Sequence, residues 1–350
     1  MPVMTKIAIV GATGPTGIHL VAELRRHTAT VRVIARDMDK LARLFPDAAV
    51  EKRPADILDT DATLRAIDGC DLVYDCVGLP GDQMHLHPVT ARNIAGALRH
   101  TKARCVQVSS YWAYYPQVRT EMNESHPRSG GPPWVRYRRE AEDMLCEAGA
   151  AILHLPDFYG PHVHVSTLQN ALNEAASGKT VNWLGSADTQ REYIYVPDAM
   201  RIAAAVGART EAFGGHWCLP GGPLTGRQAA EIAGRHLGRP LKLRSAGLIT
   251  LRIVSLFNKD LRGLLQVAPD YMKPVNYDTR KLLRLLGPQR MTLVRPLLGF
   301  CRAADPPRHC GMTMRPEATR PTVQSDSPAA KERKLPNRRA RSISSESSVG

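Results

Sequence analysis

A loop of three glycines near the start of the chain has the composition of a phosphate-binding turn. Residues 11–17 read GATGPTG, directly after the apolar run KIAIV and before the helical run IHLVAELRRH. In this setting Gly11 permits the tight turn, Gly14 lets the backbone approach a pyrophosphate, and Gly17 permits close packing of helix on strand. The helix N-terminus offers N–H donors and a positive dipole to phosphate oxygens. The loop therefore predicts dinucleotide binding by Gly11, Thr13, Gly14, Pro15, Thr16 and Gly17.

The end of the second predicted strand bears on which dinucleotide is bound. The strand VRVIA is followed by Arg36 and Asp37. An acidic residue at this position holds the ribose hydroxyls of NAD, whereas an arginine accommodates the 2′-phosphate of NADP. Arg36 can pair with a phosphate, and a carboxylate in its place would repel one. We therefore expect NADP as the cofactor, and Asp37 leaves NAD possible.

These residues need a sheet that brings the ends of several strands together. Up to about residue 160, short β-branched runs alternate with helical periods, and the runs are KIAIVGA, VRVIA, DLVYDCVG, RCVQVSS and AILHLPDFYG. Strands that are apolar throughout are buried on both faces, which indicates a parallel sheet covered by helices. The predicted fold class is α/β, a doubly wound parallel sheet of the Rossmann type. Such sheets bind ligands at the carboxyl ends of their strands.

Beyond residue 160 the alternation loosens. The pattern predicts a strand at EYIYV and helices at TLQNALNEAASG, TGRQAAEIAGRHLG, TRKLLRLLG and DAMRIAAAVGA, the last with Asp198 as its N-cap. We expect an NAD(P)-binding domain over 1–160 and a smaller substrate-binding lobe over 161–302, partly interleaved with the first. Residues 303–350 form a basic tail that is rich in Pro, Arg and Ser and poor in apolar residues, so we expect it to be disordered.

Five further segments follow the glycine loop in an order that is typical of one superfamily. They are PADILD, YDCVGLP, VSSYWAYYP, LPDFYGPHV and REYIYVPDAM. Together with the loop spacing G-x-x-G-x-x-G, they resemble the motifs of the extended, and more closely the atypical, short-chain dehydrogenase/reductase superfamily over roughly residues 5–290. This superfamily includes NAD-dependent epimerases and dehydratases. The resemblance implies a Rossmann fold and further cofactor contacts at Asp56, Ile57, Val77, Gly78, Ser109, Pro156 and Phe158.

Residues 133–145, PWVRYRREAEDML, resemble the helix that carries the superfamily's catalytic pair. In the superfamily a serine polarises the substrate oxygen and a tyrosine transfers the proton. A lysine four residues after the tyrosine, on the same helix face, lowers the pKa of the phenol. Ser110 matches the serine. Aligning the Ala-Glu of this helix with the superfamily's Lys-x-x-Ala-Glu places Arg138 at the lysine position and Trp134 at the tyrosine position, so the standard pair is absent.

Tyr137 is the tyrosine nearest to that position, but Ala141 stands four residues after it. Because Trp134 and Tyr137 belong to an apolar stripe, we expect both to be core residues. Arg138 lies at the edge of the stripe, where it can hold ribose or phosphate oxygens, but an arginine stays protonated and cannot relay protons. The candidate catalytic residues are therefore Ser110, Arg138 and Tyr137, and the sequence does not choose among the replacement acids Tyr111, Tyr114, Tyr159 and His162.

Composition narrows the other classes of function. The seven cysteines form no C-x-x-C pair, which indicates reduced thiols. Of the net charge of +14, a surplus of +5 falls on residues 301–350 and the remaining +9 is spread over the other 300 residues. There is no basic stripe interleaved with aromatics, so we do not expect nucleic-acid binding. An anionic, phosphate-bearing ligand accounts for a basic pocket at least as well. The histidine pairs HLH (85, 87) and HVH (162, 164) have no third ligand at a recognisable spacing, so we expect no metal.

Location and function class follow from the same inspection. No apolar run approaches the roughly 18–20 residues of a membrane helix, and the N-terminal residues enter a strand pattern without the layout of a signal peptide. We expect a cytoplasmic monomer or homodimer that does not bind membranes. The leading hypothesis is an NAD(P)-dependent oxidoreductase or epimerase/dehydratase-like enzyme, with NADP preferred, acting on a small hydroxyl- or carbonyl-bearing metabolite. The alternative is a non-catalytic regulatory protein that senses the redox state of NADP.

Overall fold

The computed structural model describes residues 6–27, 30–164, 166–257 and 260–289, so the tail predicted over 303–350 lies outside the described residues. The strands are β1 (Lys6–Val10), β2 (Thr30–Ala35), β3 (Val50–Pro54), β4 (Leu72–Asp75), β5 (Arg104–Ser110), β6 (Glu121–Met122), β7 (Ala151–Leu155), β8 (Asp157–Tyr159), β9 (Val181–Leu184), β10 (Arg191–Tyr195), β11 (His216–Cys218), β12 (Gly222–Leu224), β13 (Leu243–Ala246) and β14 (Asn276–Tyr277). The helices are α1 (Pro15–Leu24), α2 (Met38–Leu44), α3 (Thr60–Ile67), α4 (His87–Thr101), α5 (Pro133–Glu147), α6 (Thr167–Ala176), α7 (Val196–Gly207), α8 (Gly226–Leu237), α9 (Leu248–Phe257), α10 (Asp260–Tyr271) and α11 (Arg280–Leu286).

Seven strands form one parallel sheet in the order β11-β7-β5-β4-β1-β2-β3. From β1 the chain moves outward to β3, then returns to the middle and moves from β4 to β11 in the opposite direction. The neighbouring strands β1 and β4 therefore lead into opposite halves of the sheet, which opens a crevice at their carboxyl ends. The predicted α/β fold with a doubly wound parallel sheet is confirmed.

Alternate residues of the strands pack into two layers of helices. On β1, Ile7 and Ile9 belong to one core together with residues of α1, α2, α7 and α11. Ala8 and Val10 belong to the other core, which includes residues of α3, α4 and α5. The central strands are therefore buried on both faces, which explains why they read as continuous apolar runs.

The sequence pattern does not predict the two outermost strands of this sheet, β3 and β11. In β3, which reads VEKRP, only Val50 is buried. In β11, only the three residues from His216 to Cys218 pair with β7. An edge strand has a partner on one side only and tolerates charged side chains, so neither strand carries the apolar pattern by which the central strands are identified.

Helix α7 begins before the residue that was predicted as its cap. Tyr195 is the N-cap and Val196 the first helical residue. The prediction of Asp198 as the N-cap is wrong, because this residue lies inside the first turn, where its Oδ1 is 3.6 Å from Arg201 Nη2. An acidic side chain in a first turn still interacts favourably with the helix dipole.

Among the described residues, three small sheets accompany the large one, with the strand orders β12-β10-β8, β13-β9 and β14-β6, and five of their seven strands lie beyond residue 160. A third apolar core, which includes Leu172, Trp183 and Tyr193, is formed mainly by residues beyond 160. The division into a cofactor domain and a substrate lobe at residue 160 stays a prediction. None of the described helices is both long and apolar enough to cross a membrane.

Candidate active site

A cavity of about 1530 Å³ opens at the carboxyl ends of the central strands, at the crevice between the two halves of the sheet. It brings together residues from sequence segments that are more than 100 positions apart. Of the predicted site residues it is lined by Gly11, Thr13, Gly14, Pro15, Thr16, Arg36, Asp56, Ile57, Val77, Gly78, Ser109, Ser110, Tyr137, Arg138, Pro156 and Phe158. Their roles in binding and catalysis stay predictions, whereas their convergence on one cavity is a property of the structure.

Two glycines of the loop are required by close contacts. Gly11 has a φ of +71°, and a Cβ at this position would lie 2.8 Å from the carbonyl oxygen of Cys76 at the end of the neighbouring strand. Gly17 does not line the cavity. A Cβ there would lie 2.5 Å from Cα of Ala12, so Gly17 allows α1 to pack on the loop, which is the role that the spacing predicts.

Helix α1 directs its N-terminus into the cavity. Gly14 is its N-cap and Pro15 follows as the first residue, and no side chain caps the first turn. The N–H groups of an uncapped first turn, together with the helix dipole, favour an anion in front of them. The geometry is therefore suited to phosphate oxygens.

Basic and acidic groups meet at the cavity wall formed by the loop after β2. Arg36 is exposed and lines the cavity together with Lys40. Neither side chain forms a salt bridge within the described part of the chain. Asp37 Oδ1 accepts a hydrogen bond from Lys40 N at 2.9 Å and caps α2. One oxygen of this carboxylate is thus already engaged by the backbone.

A buried polar network lies beneath the opposite end of the cavity. The Ser109 hydroxyl donates to Glu142 Oε1, and Arg138 Nη1 donates to Ser109 Oγ at 3.4 Å. Glu142 is fully buried and pairs with Arg128 Nη2 at 2.8 Å. Burial raises the pKa of the Glu142 carboxyl, although the Arg128 guanidinium opposes this change. Burial lowers the pKa of Arg138, partly offset by Glu142 and Asp75.

The start of helix α5 faces the cavity instead of the core. The prediction that Trp134 and Tyr137 are core residues is wrong, because both are half-buried and line the cavity. Trp134 Nε1 donates to Gln266 Oε1 of α10 at 2.9 Å. Of the apolar stripe of α5, the residues from Ala141 onward belong to the core beneath the sheet.

The polar face of α5 also differs from the solvated face that the pattern indicates. Arg139 is buried and donates to the carbonyl oxygens of Ala113 and Gly130 at 2.6 and 2.7 Å. Glu142, on the same helix, is buried by the network described above. Both charged side chains therefore fix loops and strands under the cavity, which a helical period alone does not reveal.

The structure separates the four candidate replacement acids. Tyr111 lines the cavity and is 4% exposed. Tyr114 and Tyr159 are fully buried and do not line it, and His162 is exposed on a loop outside it. Among these four residues, only Tyr111 is in a position to face a bound ligand.

Two further residues at the end of the cavity that holds Tyr111 were not predicted from the sequence. Asp157 and Tyr271 line the cavity beside Tyr111, and the Tyr271 hydroxyl donates to Asp157 Oδ2 at 3.2 Å. Burial raises the pKa of Asp157 to about 6 against the opposing effects of Arg191 and the hydrogen bonds. The available sequence signal was position: Asp157 stands between Pro156 and Phe158, directly after a buried strand.

Two histidines lie close to Glu142 of this buried network. Glu142, His154 and His216 have potential ligand atoms within 4.8 Å of one another. No sequence pattern predicts this group, because its members come from α5, β7 and β11. His154 Nε2 and His216 Nδ1 are 2.9 Å apart in rings that are tilted by only 8°. Two nitrogens on one tetrahedral zinc stand roughly 3.3 Å apart, so the geometry is that of an N–H···N hydrogen bond.

The two histidine pairs of the sequence are not part of any such group in the described residues. His85 is exposed, whereas His87 is buried, and burial lowers the pKa of His87 to about 3. His162 and His164 are both exposed. The two members of the pair at 85 and 87 therefore differ in burial, whereas the two at 162 and 164 do not.

The comparisons with known proteins agree with the fold. The model of the NAD dependent epimerase/dehydratase family matches residues 7–217. UDP-glucuronic acid 4-epimerase from Bacillus cereus, solved with UDP-glucuronic acid and NAD, is 16% identical, with a TM-score of 0.69 over 85% of this chain and 99% of that one. DesIV, the dTDP-glucose 4,6-dehydratase of Streptomyces venezuelae, solved with NAD and TYD, is 18% identical, with a TM-score of 0.70 over 85% and 96%.

An epimerase of Methanothermobacter thermautotrophicus is 17% identical, with a TM-score of 0.70 over 86% of this chain and 92% of that one. No curated protein matches the sequence. At these identities the solved structures establish a common fold only. The family model, however, covers more than half of the 350 residues. The chain belongs to the NAD dependent epimerase/dehydratase family.

Proposed function

We propose that this protein is an NADP-dependent oxidoreductase or epimerase/dehydratase-like enzyme that acts on a small molecule with a hydroxyl or carbonyl group. The observation that carries the proposal is the single cavity, which joins an uncapped helix N-terminus at one end to Ser110 and Arg138 at the other. A cavity with these groups at its two ends suits a dinucleotide whose pyrophosphate lies at the glycine loop. Bound cofactor would supply or accept a hydride at its nicotinamide ring.

The preference for NADP is supported by the charges near the end of β2. Arg36 and Lys40 both line the cavity, and neither is neutralised by a salt bridge within the described residues. A 2′-phosphate would gain charge-assisted hydrogen bonds from these side chains. The carboxylate of Asp37, which would hold the ribose of NAD, instead caps α2 with one of its oxygens.

The substrate class to test first is the sugar nucleotides. The similar structures include a UDP-glucuronic acid 4-epimerase solved with UDP-glucuronic acid and a dTDP-glucose 4,6-dehydratase. In this chain, Trp112, Trp134 and Tyr271 line the same end of the cavity as Ser110. Their rings contact one another, with centroids 6.0 Å apart for Trp112–Trp134 and 5.2 Å for Trp112–Tyr271. Such an aromatic wall can pack against a sugar or another flat, partly apolar group.

Each polar residue at this end has a role that its geometry permits. The half-buried Ser110 hydroxyl can donate to a substrate oxygen and polarise it. Arg138, held by Ser109, can bind cofactor or substrate oxygens but does not change its protonation state. The proton transfer must therefore be performed by a different group.

Binding and turnover measurements test the proposal. We expect tighter binding of NADPH than of NADH in fluorescence titrations. We also expect a change in nicotinamide absorbance, or an isomerised product, with at least one member of a panel of UDP- and dTDP-sugars and simple carbonyl compounds. The Gly14→Asp variant should lose cofactor binding, because its carboxylate would repel the pyrophosphate. Equal or absent binding of both cofactors by the parent protein would contradict the proposal.

The second candidate is a non-catalytic protein that reports the redox state of NADP. It is favoured by one observation, the presence of Trp134 and Arg138 at the positions of the superfamily's tyrosine and lysine. The two candidates share the prediction of NADPH binding and differ in turnover. A protein that binds NADPH and NADP⁺ with clearly different affinities, and reacts with no member of the panel, would support the regulatory function.

A further inference from the structure

Asp157 lies beside the predicted catalytic serine. Strands β5 and β7 pair so that Ser110 is opposite Leu155, and Asp157 follows two residues later as the first residue of β8. Both Ser110 and Asp157 line the cavity, and Asp157 is 8% exposed. The other described carboxylates of the cavity wall, Asp37, Asp56 and Asp82, lie on the loops after β2, β3 and β4.

In each of its hydrogen bonds, the carboxylate of Asp157 is the acceptor. Thr167 Oγ1 donates to its Oδ2 at 3.1 Å, and the Tyr271 hydroxyl donates to the same atom at 3.2 Å. The backbone N–H of Phe158 is a third donor to the carboxylate. A carboxylate that only accepts hydrogen bonds is held in its basic form and in one orientation. This arrangement is that of a proton acceptor whose position is fixed.

Within the described residues, the charged and titratable groups that interact with Asp157 are one cation and three phenols. Arg191 approaches from β10, and Tyr111, Tyr193 and Tyr271 complete the surroundings. Burial raises the pKa of Tyr111 and Tyr271 well above the ordinary value, so both phenols stay neutral. Burial raises the pKa of Asp157 itself to about 6, so this carboxyl can exchange a proton near neutral pH.

We infer that Asp157 is the proton-transfer group of this site and takes the place of the missing tyrosine–lysine pair. The inference rests on the proposed function. In the oxidative direction the carboxylate of Asp157 accepts the proton of the substrate hydroxyl, while Ser110 holds the oxygen. The alternatives fit less well: Arg138 does not deprotonate, and burial raises the pKa of the Tyr111 and Tyr271 phenols well above the ordinary value. Because the Tyr271 hydroxyl donates to Asp157 Oδ2, the carboxylate is the basic member of that pair.

Oxidation of a substrate alcohol in this site conserves atoms and electrons. The O–H bond of the substrate alcohol breaks, and its proton forms an O–H bond on Asp157. The C–H bond on the same carbon breaks, and bound oxidised nicotinamide would accept its hydrogen and electron pair as a hydride. The electron pair left by the O–H bond becomes the second bond of the C=O product. In the reductive direction protonated Asp157 returns the proton to the oxygen as the hydride returns to the carbon.

The first arm of the test compares Asp157→Asn with the parent protein. The amide keeps the size and one acceptor oxygen but cannot take up a proton. We expect kcat on the best member of the sugar-nucleotide and carbonyl panel to fall by roughly 10²–10⁴-fold, with the NADPH dissociation constant within a few-fold of the parent. Asp188→Asn is the matched control, because this exposed carboxylate pairs with Arg227 away from the cavity.

The second arm measures how kcat in the oxidative direction depends on pH. The rate should rise with pH through an apparent pKa near that of Asp157, because the ionised form is the base. Thr167→Val removes one donor to the carboxylate and so disfavours its ionised form, which should move this limb to higher pH. Tyr271→Phe should move it in the same direction. A purely structural role would lower the rate without moving the limb.

The outcomes separate this inference from the proposed function. If the parent protein does not bind NADPH, the proposed function fails. If the parent turns over and Asp157→Asn retains its kcat, or if the limb stays in place in both donor variants, the assignment of Asp157 is overturned. A parent that binds NADPH and converts no member of the panel also overturns the catalytic assignment and favours the sensor.

Discussion

Arg138 occupies a position where buried polar groups converge on the cavity. Its Nη1 donates to Ser109 Oγ, whose hydroxyl in turn donates to Glu142. Its Nε is buried and lacks a hydrogen-bond partner within the described residues. An unpaired buried donor of a charged group carries a free-energy cost that an accepting ligand removes. The side chain is therefore prepared to bind an anion or a sugar hydroxyl.

This arrangement predicts the effect of removing the guanidinium. Arg138→Ala should weaken NADPH binding by roughly 1.5–3 kcal/mol, the range for hydrogen bonds to charged groups, as measured by fluorescence titration. Arg136→Ala is the matched control, because Arg136 is on the same helix but exposed and outside the main cavity. Unchanged affinity in Arg138→Ala would show that the guanidinium contacts only protein groups.

A second arginine, Arg36, is the residue that we propose selects NADP over NAD. Arg36→Ala should weaken NADPH binding by roughly 1.5–3 kcal/mol and leave NADH binding nearly unchanged, because only the former carries the 2′-phosphate. The measurement is a pair of titrations with the two cofactors. Arg43→Ala, an exposed charge deletion on the neighbouring helix α2, controls for the general loss of positive potential. An equal loss for both cofactors would contradict the assignment.

At this scale the sequence predicted the residues that the backbone presents, but not those brought together by folding. Gly11, Arg36 and Val77 each follow directly or closely on a recognisable strand, so strand ends and loop chemistry locate them. Asp157 is meaningful only through Thr167 and Tyr271, which lie 10 and 114 positions away in the sequence. No local sequence pattern indicates that these three side chains meet.

Among the elements, helix α1 packs closely on the backbone of the glycine loop that precedes it. The glycine at position 17 lies against the backbone of Ala12, and a methyl group there would be 2.5 Å from Cα. At Gly14 the closest atom to an added Cβ would be the carbonyl oxygen of Gly11 at 3.5 Å, which is an ordinary contact. The two glycines of one loop therefore differ in what they tolerate.

This difference is testable by two substitutions of the same kind. Gly17→Ala should lower the free energy of unfolding by roughly 1–3 kcal/mol, the range for forcing an extra methyl group into a packed region, because backbone atoms have to move. Gly14→Ala should change it much less. Urea denaturation of both variants and the parent measures the effect. Equal stability of the two variants would show that α1 can shift outward without cost.

The strands in the centre of the large sheet were predictable from the sequence, whereas those at its edges were not. Strands β1, β2, β4, β5 and β7 are buried on both faces and were identified by their apolar runs. Strand β3 and strand β11 are at the edges and were not. Helix α5 was predicted, but the surroundings of Trp134 and Tyr137 were not, because a helical period shows which residues share a face and does not show that a cavity, instead of a core, covers it.

Across the whole molecule, buried carboxyls couple stability to pH. Asp75 is 4% exposed, and burial raises the pKa of this carboxyl to about 6 despite hydrogen bonds from Val77 N and Gln107 Nε2. The unfolded value is 3.8. Between these values the folded chain holds more protons than the unfolded chain, so the contribution of Asp75 to stability falls as pH rises from about 4 to about 6.

Asp75→Asn should remove this dependence. Relative to the parent, the variant should gain stability as pH rises through that window, by about 3 kcal/mol at most. The Gln107 Oε1 atom, which is buried without a partner in the described residues, could accept from the new amide after rotation of the Gln107 side chain. Urea denaturation at about pH 4.5 and about pH 7.5 provides the comparison, with the exposed Asp39→Asn as the control. An identical difference at both pH values would contradict the raised pKa.

The place of β11 at the end of the sheet has a consequence for synthesis of the protein. Strand β7 ends at Leu155, but its outer neighbour begins only at His216. A ribosome adds residues at about 5–20 per second, so β7 has no partner on that side for several seconds after it emerges. An unpaired edge invites pairing with another nascent chain. Crowded polysomes should therefore be the setting in which this protein aggregates most readily, and truncation before residue 216 should make that hazard permanent.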